Sequence, residues 1–232
     1  MNRIARHIPN TITCCNLLSG CIAVVNALGG DIRKAFLWIA AGALFDFCDG
    51  LSARLLHAYS PIGKELDSLA DLVTFGLAPS LVCMYTLGRV RWPESLPADI
   101  LPYISLAIAA ASALRLAKFN IDDRQTSSFL GLAVPADALF WCGTCLWLDG
   151  NAQLLGKPAA GFALIACIPV MCTLMLCELP MFSLKFKNLK LGENLTRYIF
   201  LAGAAAAVCL WGAEGAAPAV LFYIFMSVVS AR

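Results

Sequence analysis

The chain has 232 residues, of which 60% are apolar and only 14% charged, with a formal net charge of +2. A soluble globular domain carries about a quarter charged residues, so this composition excludes an ordinary soluble module and points to lipid as the solvent. The small net charge by itself says little; the placement of the charges says more.

A membrane span needs roughly 20 mostly apolar residues. Apolar runs fall near residues 11–29, 35–56, 62–87, 100–117, 132–149, 158–177, 197–212 and 216–230. They predict an all-α polytopic membrane helical bundle of about eight transmembrane helices. Connections are short, so residues 1–232 read as a single integral-membrane domain. The first run leads straight into further spans and is not read as a cleaved signal. With an N-terminus inside and eight spans, Arg3, Arg6, Arg54, Lys64, Arg115, Lys118, Arg124, Lys185, Lys187, Lys190, Arg197 and Arg232 fall inside or at inner helix ends. Arg33, Lys34, Arg89, Arg91 and Lys157 fall outside, so 12 of the 17 cations lie inside and 5 outside. That bias predicts both termini on the cytoplasmic side.

Eleven cysteines are scattered through the apolar runs without metal-like spacing. Cys142 and Cys145 form a CxxC inside a span with no second pair, so they read as small apolar residues.

Charged residues within spans are costly and usually functional. They concentrate in one region, at the end of the second run and the start of the third. Asp46 and Asp49 are spaced i,i+3, and Gly50, Ala53 and Arg54 continue that helical face. Gly63, Asp67 and Asp71 are spaced i,i+4,i+8 on the next helix. Ser60-Pro61 reads as an N-cap followed by proline at the first helical position. The two helices are expected to form an antiparallel hairpin turning near 57–60.

At about 1.5 Å rise per residue, Asp49 and Asp67 sit roughly 10 Å from the turn, and Asp46 and Asp71 about 15 Å. Four carboxylates at two matching depths cannot remain unpaired in a low dielectric, and Arg54 alone cannot neutralise them. All-oxygen ligands without histidine point to a hard divalent ion, Mg²⁺ or Mn²⁺, and two of them. Paired metals clamped by shared carboxylates suit in-line displacement at phosphorus. Gly50, Ala53 and Gly63 leave a cleft beside the acids, although small residues also serve close helix packing.

The pattern D-x-x-D-G-x-x-A-R-x8-G-x3-D-x3-D, met by Asp46, Asp49, Gly50, Ala53, Arg54, Gly63, Asp67 and Asp71, resembles the signature of the CDP-alcohol phosphatidyltransferase family. Pro9-Asn10-Thr11-Ile12-Thr13 and Asn16 resemble the family's N-terminal element. Residues 64–71 with Phe75-Gly76-Leu77-Ala78-Pro79, and residues 113–120 with Phe129-Leu130-Gly131-Leu132 and Pro135, are similar to its phosphatidylserine synthase branch. Thr74 stands where serine is expected, and Lys118 where arginine is frequent.

The resemblance implies that Asp46, Asp49, Asp67 and Asp71 ligate the metals, with Asp71 also the general base. It implies contacts to the CDP lipid from Gly50, Ala53, Arg54, Ser60 and Gly63, with Arg54 on phosphate, and from Asn10 and Thr13. The implied reaction is attack of an alcohol on the phosphorus bearing diacylglycerol, with CMP leaving. The implied partners are CDP-diacylglycerol, L-serine and membrane lipids, with no nucleic acid; a homodimer is left open. The implied location is the inner membrane, with the site facing the cytoplasm. A serine carboxylate needs a cation, and Arg115 and Lys118 lie at the inner end of the fourth span, where Asn120 can add a hydrogen bond. Interfacial snorkelling is the plainer role for the two cations. Competing readings are a sibling enzyme using glycerol phosphate or an inositol phosphate, an intramembrane prenyltransferase, and a cation transporter.

Overall fold

The computed structural model describes residues 7–122, 129–182 and 191–230. Helices dominate: α1 His7–Leu28, α2 Ile32–Leu55, α3 Pro61–Asp71, α4 Ala78–Gly88, α5 Leu106–Ile121, α6 Val134–Gly150, α7 Pro158–Leu176, α8 Leu191–Trp211 and α9 Ala216–Ser230. Two short strands, β1 Phe129–Leu130 and β2 Pro180–Met181, pair antiparallel and clip the segment before α6 to the segment after α7. The expected all-α polytopic bundle is the architecture observed.

By length and composition, six stretches among the described residues can cross a membrane, a measure that does not confirm the count of eight. Helix α6 is 17 residues long. Residues 194–230 form one apolar stretch. It folds back on itself at Gly212, whose φ is +60°. A Cβ on Gly203 would lie 2.6 Å from the Phe222 ring, so α8 and α9 pack as a close hairpin about that turn.

The packing is that of helices in lipid. The buried face of α1 carries Pro9, Thr13, Asn16, Ser19, Gly20, Ala23 and Ala27, while Leu18 and Val25 face outward. Lipid tails are as apolar as leucine, so close approach and hydrogen bonding drive association here, more than burial of apolar area. Larger apolar side chains fill the far side of the bundle, with Phe75, Leu87, Ile108, Trp141, Ile168 and Met171 fully buried. Cys83, Cys142 and Cys145 are buried there as free thiols, in the apolar role expected of them.

Three elements meet most tightly around Thr74. A Cβ on Gly20 of α1 would lie 2.3 Å from Thr74 Oγ1 and 2.8 Å from Thr74 Cα. A Cβ on Gly42 of α2 would lie 2.5 Å from Thr74 Cγ2. The methyl that distinguishes Thr74 from the expected serine therefore packs over Gly42. Thr74 itself belongs to a single π-helical turn, Leu72–Leu77, between α3 and α4, with Ala78 N–H donating to Val73 O. Such turns are rare and cluster at functional sites.

Helix α5 runs antiparallel to the α3–α4 rod. Asn120 Nδ2 donates to Ser68 Oγ at 2.9 Å, and Lys64 Nζ to Asn120 O at 2.7 Å. Farther along, a Cβ on Gly76 would lie 3.0 Å from Ser112 Cβ. At the opposite end, Arg91 N–H donates to Leu155 O at 2.8 Å, and Arg89 bridges to Asp149. Arg33, Lys34, Arg89, Arg91 and Lys157 lie on that opposite side by chain order. Arg3, Arg6, Arg124, Lys185, Lys187, Lys190 and Arg232 lie outside the described residues.

Gly20→Ala is expected to lower the melting temperature of the detergent-solubilised protein, because overpacking against backbone costs about 1–3 kcal/mol. Gly50→Ala is the control: its Cβ meets nothing nearer than Arg54 Nη2 at 3.8 Å. It should melt at or slightly above the parent, since alanine favours helix by about 1 kcal/mol over glycine.

Candidate active site

Ser60 caps α3 from an extended conformation, its Oγ accepting the Gly63 N–H at 3.0 Å, with Pro61 at the first helical position. The N-cap read from Ser60-Pro61 is present. Helix α2 ends at Leu55, and His57 follows with a φ of +48°. The expected hairpin differs in one respect. Helix α1 packs against both α2 and α3, whereas α2 and α3 share little direct contact. The turn therefore opens into a wedge, for two physical reasons: both facing surfaces carry acids that repel, and α1 supplies the packing between them.

One carboxylate oxygen each from Asp46, Asp49 and Asp67 lies within 4.8 Å of the others. Asp67 faces both Asp46 and Asp49, and Asp71 adjoins the group, its charge interacting with those of Asp46 and Asp67. Asp49 Oδ2 and Asp67 Oδ1 are buried without a hydrogen-bond partner. Among the described residues no lysine or arginine is ion-paired with any of the four acids. Two unit charges about 4 Å apart repel by about 4 kcal/mol at an effective dielectric of 20. Buried, orphaned, mutually repelling oxygens with an all-carboxylate donor set fit a hard divalent cation. Asp71 is held instead by Asn16, whose Nδ2 donates to Asp71 Oδ1 at 3.0 Å.

The wedge encloses a cavity of about 530 Å³ reached by Asp49 and Asp67. Of the residues assigned to the CDP lipid, it is lined by Asn10, Thr13, Gly50, Ala53, Ser60 and Gly63. Arg54 is exposed and folds back on its own helix, Nε donating to Gly50 O at 2.9 Å. Tyr59 and Lys64 also line the cavity, and the sequence motif assigns neither of them to it. Their only signal in the sequence is adjacency to the Ser60 cap and to the Gly63 position.

The three residues assigned to serine each have a partner. Arg115 is buried, its Nε donating to Leu132 O at 3.3 Å and its guanidinium 5.0 Å from the Phe119 ring centre. Lys118 Nζ lies 3.5 Å from Glu178 and donates to Leu176 O. Asn120 joins Ser68 and Lys64 across α3 and α5. Ser112 abuts Gly76, and Arg115 lies one turn, about 4.5 Å, further toward the site. Asp71 lies about 7.5 Å from Gly76 in the same direction, so Arg115 and Asp71 are near one level.

A sequence model of the CDP-alcohol phosphatidyltransferase family matches residues 6–208. The chain belongs to the CDP-alcohol phosphatidyltransferase family. Members of this family are generally metal-dependent, and the aspartate cluster is suited to that role. The chain is similar to the CDP-diacylglycerol–serine O-phosphatidyltransferase of Bacillus subtilis, 40% identical over 144 residues, 60% of this chain and 73% of the relative. It is similar to the proteins of the same name from Helicobacter pylori strain 26695, at 31% over 153 residues, and from Saccharomyces cerevisiae, at 36% over 126. The matches cover 63% and 51% of this chain, and 60% and 43% of those relatives.

Asp46→Ala and Asp49→Ala are expected to abolish turnover while leaving the fold intact. Without metal these variants should melt at or above the parent, because one repelling charge is gone. Mg²⁺ or Mn²⁺ should raise the melting temperature of the parent but not of the variants, as a ligand of the native state must. Chelation should silence the parent and either ion restore it; full turnover in excess chelator contradicts the assignment.

Proposed function

We propose that the chain transfers the phosphatidyl group of CDP-diacylglycerol to L-serine, giving phosphatidylserine and CMP. The observation that carries this reading is the Asp46, Asp49 and Asp67 cluster opening on the cavity, with Asp71 held beside it. The cavity takes the cytidine diphosphate head, and its size lies within the usual range for small-ligand sites. Asn10, Thr13, Ser60 and the bare surfaces of Gly50 and Gly63 face that head. Arg54 swings from Gly50 O to a phosphate when the lipid enters.

Asp46, Asp49 and Asp67, with Asp71 as the fourth ligand, would hold two Mg²⁺ or Mn²⁺ ions. Bound there, such ions would grip the diphosphate and offset charge on the departing CMP. Asp71 accepts the proton of the serine hydroxyl. The serine oxygen forms its bond to the phosphorus bearing diacylglycerol as the bond to the CMP oxygen breaks.

Arg115 receives the serine carboxylate. It is buried, level with Asp71, and in no ion pair among the described residues, so a carboxylate arriving there meets a cation held by a carbonyl oxygen and a ring rather than by an acid. Lys118 and Asn120 line the approach. The site and both termini face the cytoplasm, which supplies serine; the placement of 12 of the 17 cations on that side supports this.

Release of CMP is expected with L-serine and not with glycerol 3-phosphate or an inositol phosphate; release with either phosphate instead makes the chain a sibling enzyme of the family. Arg115→Ala should raise the KM for serine about 10- to 150-fold, the effect of losing a charge-assisted hydrogen bond, with little change for the CDP lipid. Arg115→Lys should recover part of the loss, because an ammonium lacks the paired contact. Arg54→Ala should reverse the pattern. Equal losses for both substrates in Arg115→Ala would place the serine pocket elsewhere. On a cysteine-free background, a cysteine at residue 2 should resist an impermeant thiol reagent applied from outside.

A further inference from the structure

We infer that Asn16 is a positioning residue that orients the Asp71 carboxylate toward the attacking hydroxyl, an inference that rests on the reading of Asp71 as the base. Asn16 is fully buried in α1, and its side chain reaches 55 residues along the chain to Asp71. The contact is only one half of a closed ring. Thr74 Oγ1, three residues beyond Asp71, donates to the backbone oxygen of Asn16 at 3.1 Å. Asp71 and Thr74 therefore grip the amide and the carbonyl of one residue from either side of the start of the π-helical turn. Asp71 and Thr74 are spaced i,i+3, so they share one helical face, and that face is turned to Asn16.

The amide cannot turn away. Its Oδ1 has no hydrogen-bond partner and abuts the bare face of Gly42, where a Cβ would lie 2.9 Å from it. Reversing the amide would set its oxygen against a carboxylate oxygen, two acceptors with no proton between them. The amide N–H is thus committed to Asp71 Oδ1. That commitment restrains the carboxylate at Oδ1 and leaves the second oxygen open to the hydroxyl proton, with lone pairs remaining for metal. It also explains why a buried side-chain amide stands where an apolar residue would pack more cheaply. Asp71 must keep one orientation through the proton transfer.

The test compares Asn16→Ala, Asn16→Ser and Asn16→Asp with the parent and with Asp71→Asn, measuring kcat, the KM of both substrates, melting temperature and binding of the CDP lipid. Asn16→Ala should lower kcat about 10- to 100-fold, the cost of one hydrogen bond to a charged group. The KM of each substrate and the binding of the CDP lipid should stay within about threefold, since the interaction acts on the reacting geometry and not on binding. Asn16→Ser, which keeps a hydroxyl donor, should recover part of kcat. Asn16→Asp, which matches asparagine in size but turns the donor into an acceptor, should fall below Asn16→Ala. A packing role gives the opposite order, with the isosteric aspartate nearest the parent and alanine worst, and that order overturns the inference. So does a kcat within about threefold of the parent for Asn16→Ala while Asp71→Asn is inactive. Should Asn16→Ala fail to fold, the serine and aspartate variants carry the same comparison. Full turnover by Asp71→Asn overturns the base assignment itself and the inference with it, which separates the two failures.

Discussion

Four carboxylates gathered within one helical bundle, Asp49 and Asp71 buried and Asp46 and Asp67 half-buried, impose the constraint on which the rest of the structure depends. In a medium of low dielectric they repel one another and go unsolvated, so the surrounding helices must either supply donors or leave room for cations. This chain does both, and separates the two. Asp46, Asp49 and Asp67 converge, with orphaned oxygens on Asp49 and Asp67, an arrangement that a positive ligand relieves. Asp71, beside them, is given an amide donor. The wedge between α2 and α3 follows directly, because acids on both faces oppose close packing and α1 carries the contact instead.

The basic side chains at the same end show the complementary arrangement. Arg54 rests on Gly50 O, Lys64 on Asn120 O and Arg115 on Leu132 O. Lys118 rests on Leu176 O and Glu178. None of them is spent on the four acids. A carbonyl oxygen carries no net charge, so it holds a cation less firmly than a carboxylate does. The acids are thereby left for metal, and the cations for the anionic groups that a diphosphate and an amino acid would bring. An arrangement of direct salt bridges would have left neither set available.

Much of this is legible in the order of residues along the chain. The charge deficit identifies lipid as the solvent, and the eight fixed positions of residues 46–71 place the acids on two adjoining helices. The Ser60 cap and the helix start at Pro61 follow from local chemistry alone. The apolar runs near 132–149, 197–212 and 216–230 anticipate α6, α8 and α9, the last two parted by Gly212, Glu214 and Gly215. Other features are illegible there for particular reasons. The π-helical turn leaves no composition signal, because leucine, valine, threonine and phenylalanine suit an α-helix in lipid equally well. The polar residues Asn10, Thr13, Asn16 and Ser19 do recur every three positions along α1. That stripe marks a buried polar face, but it does not say which acid the face serves.

The sequence by itself determined the solvent, the helical class, the family signature and the identity of the four acids. These depend on residue type and on spacing along one helix, and 3.6 residues per turn converts spacing into a shared face without reference to any partner. Tertiary structure decided which oxygens of the acids converge and which one an amide donor holds, which helices meet and which diverge, and what each cation touches. Those outcomes turn on contacts between residues some fifty positions apart, Asn16 with Asp71 and Lys64 with Asn120 among them. No local periodicity encodes such distances; they are set only when the glycines of α1 and α2 let Thr74 approach and bring the three helices into register.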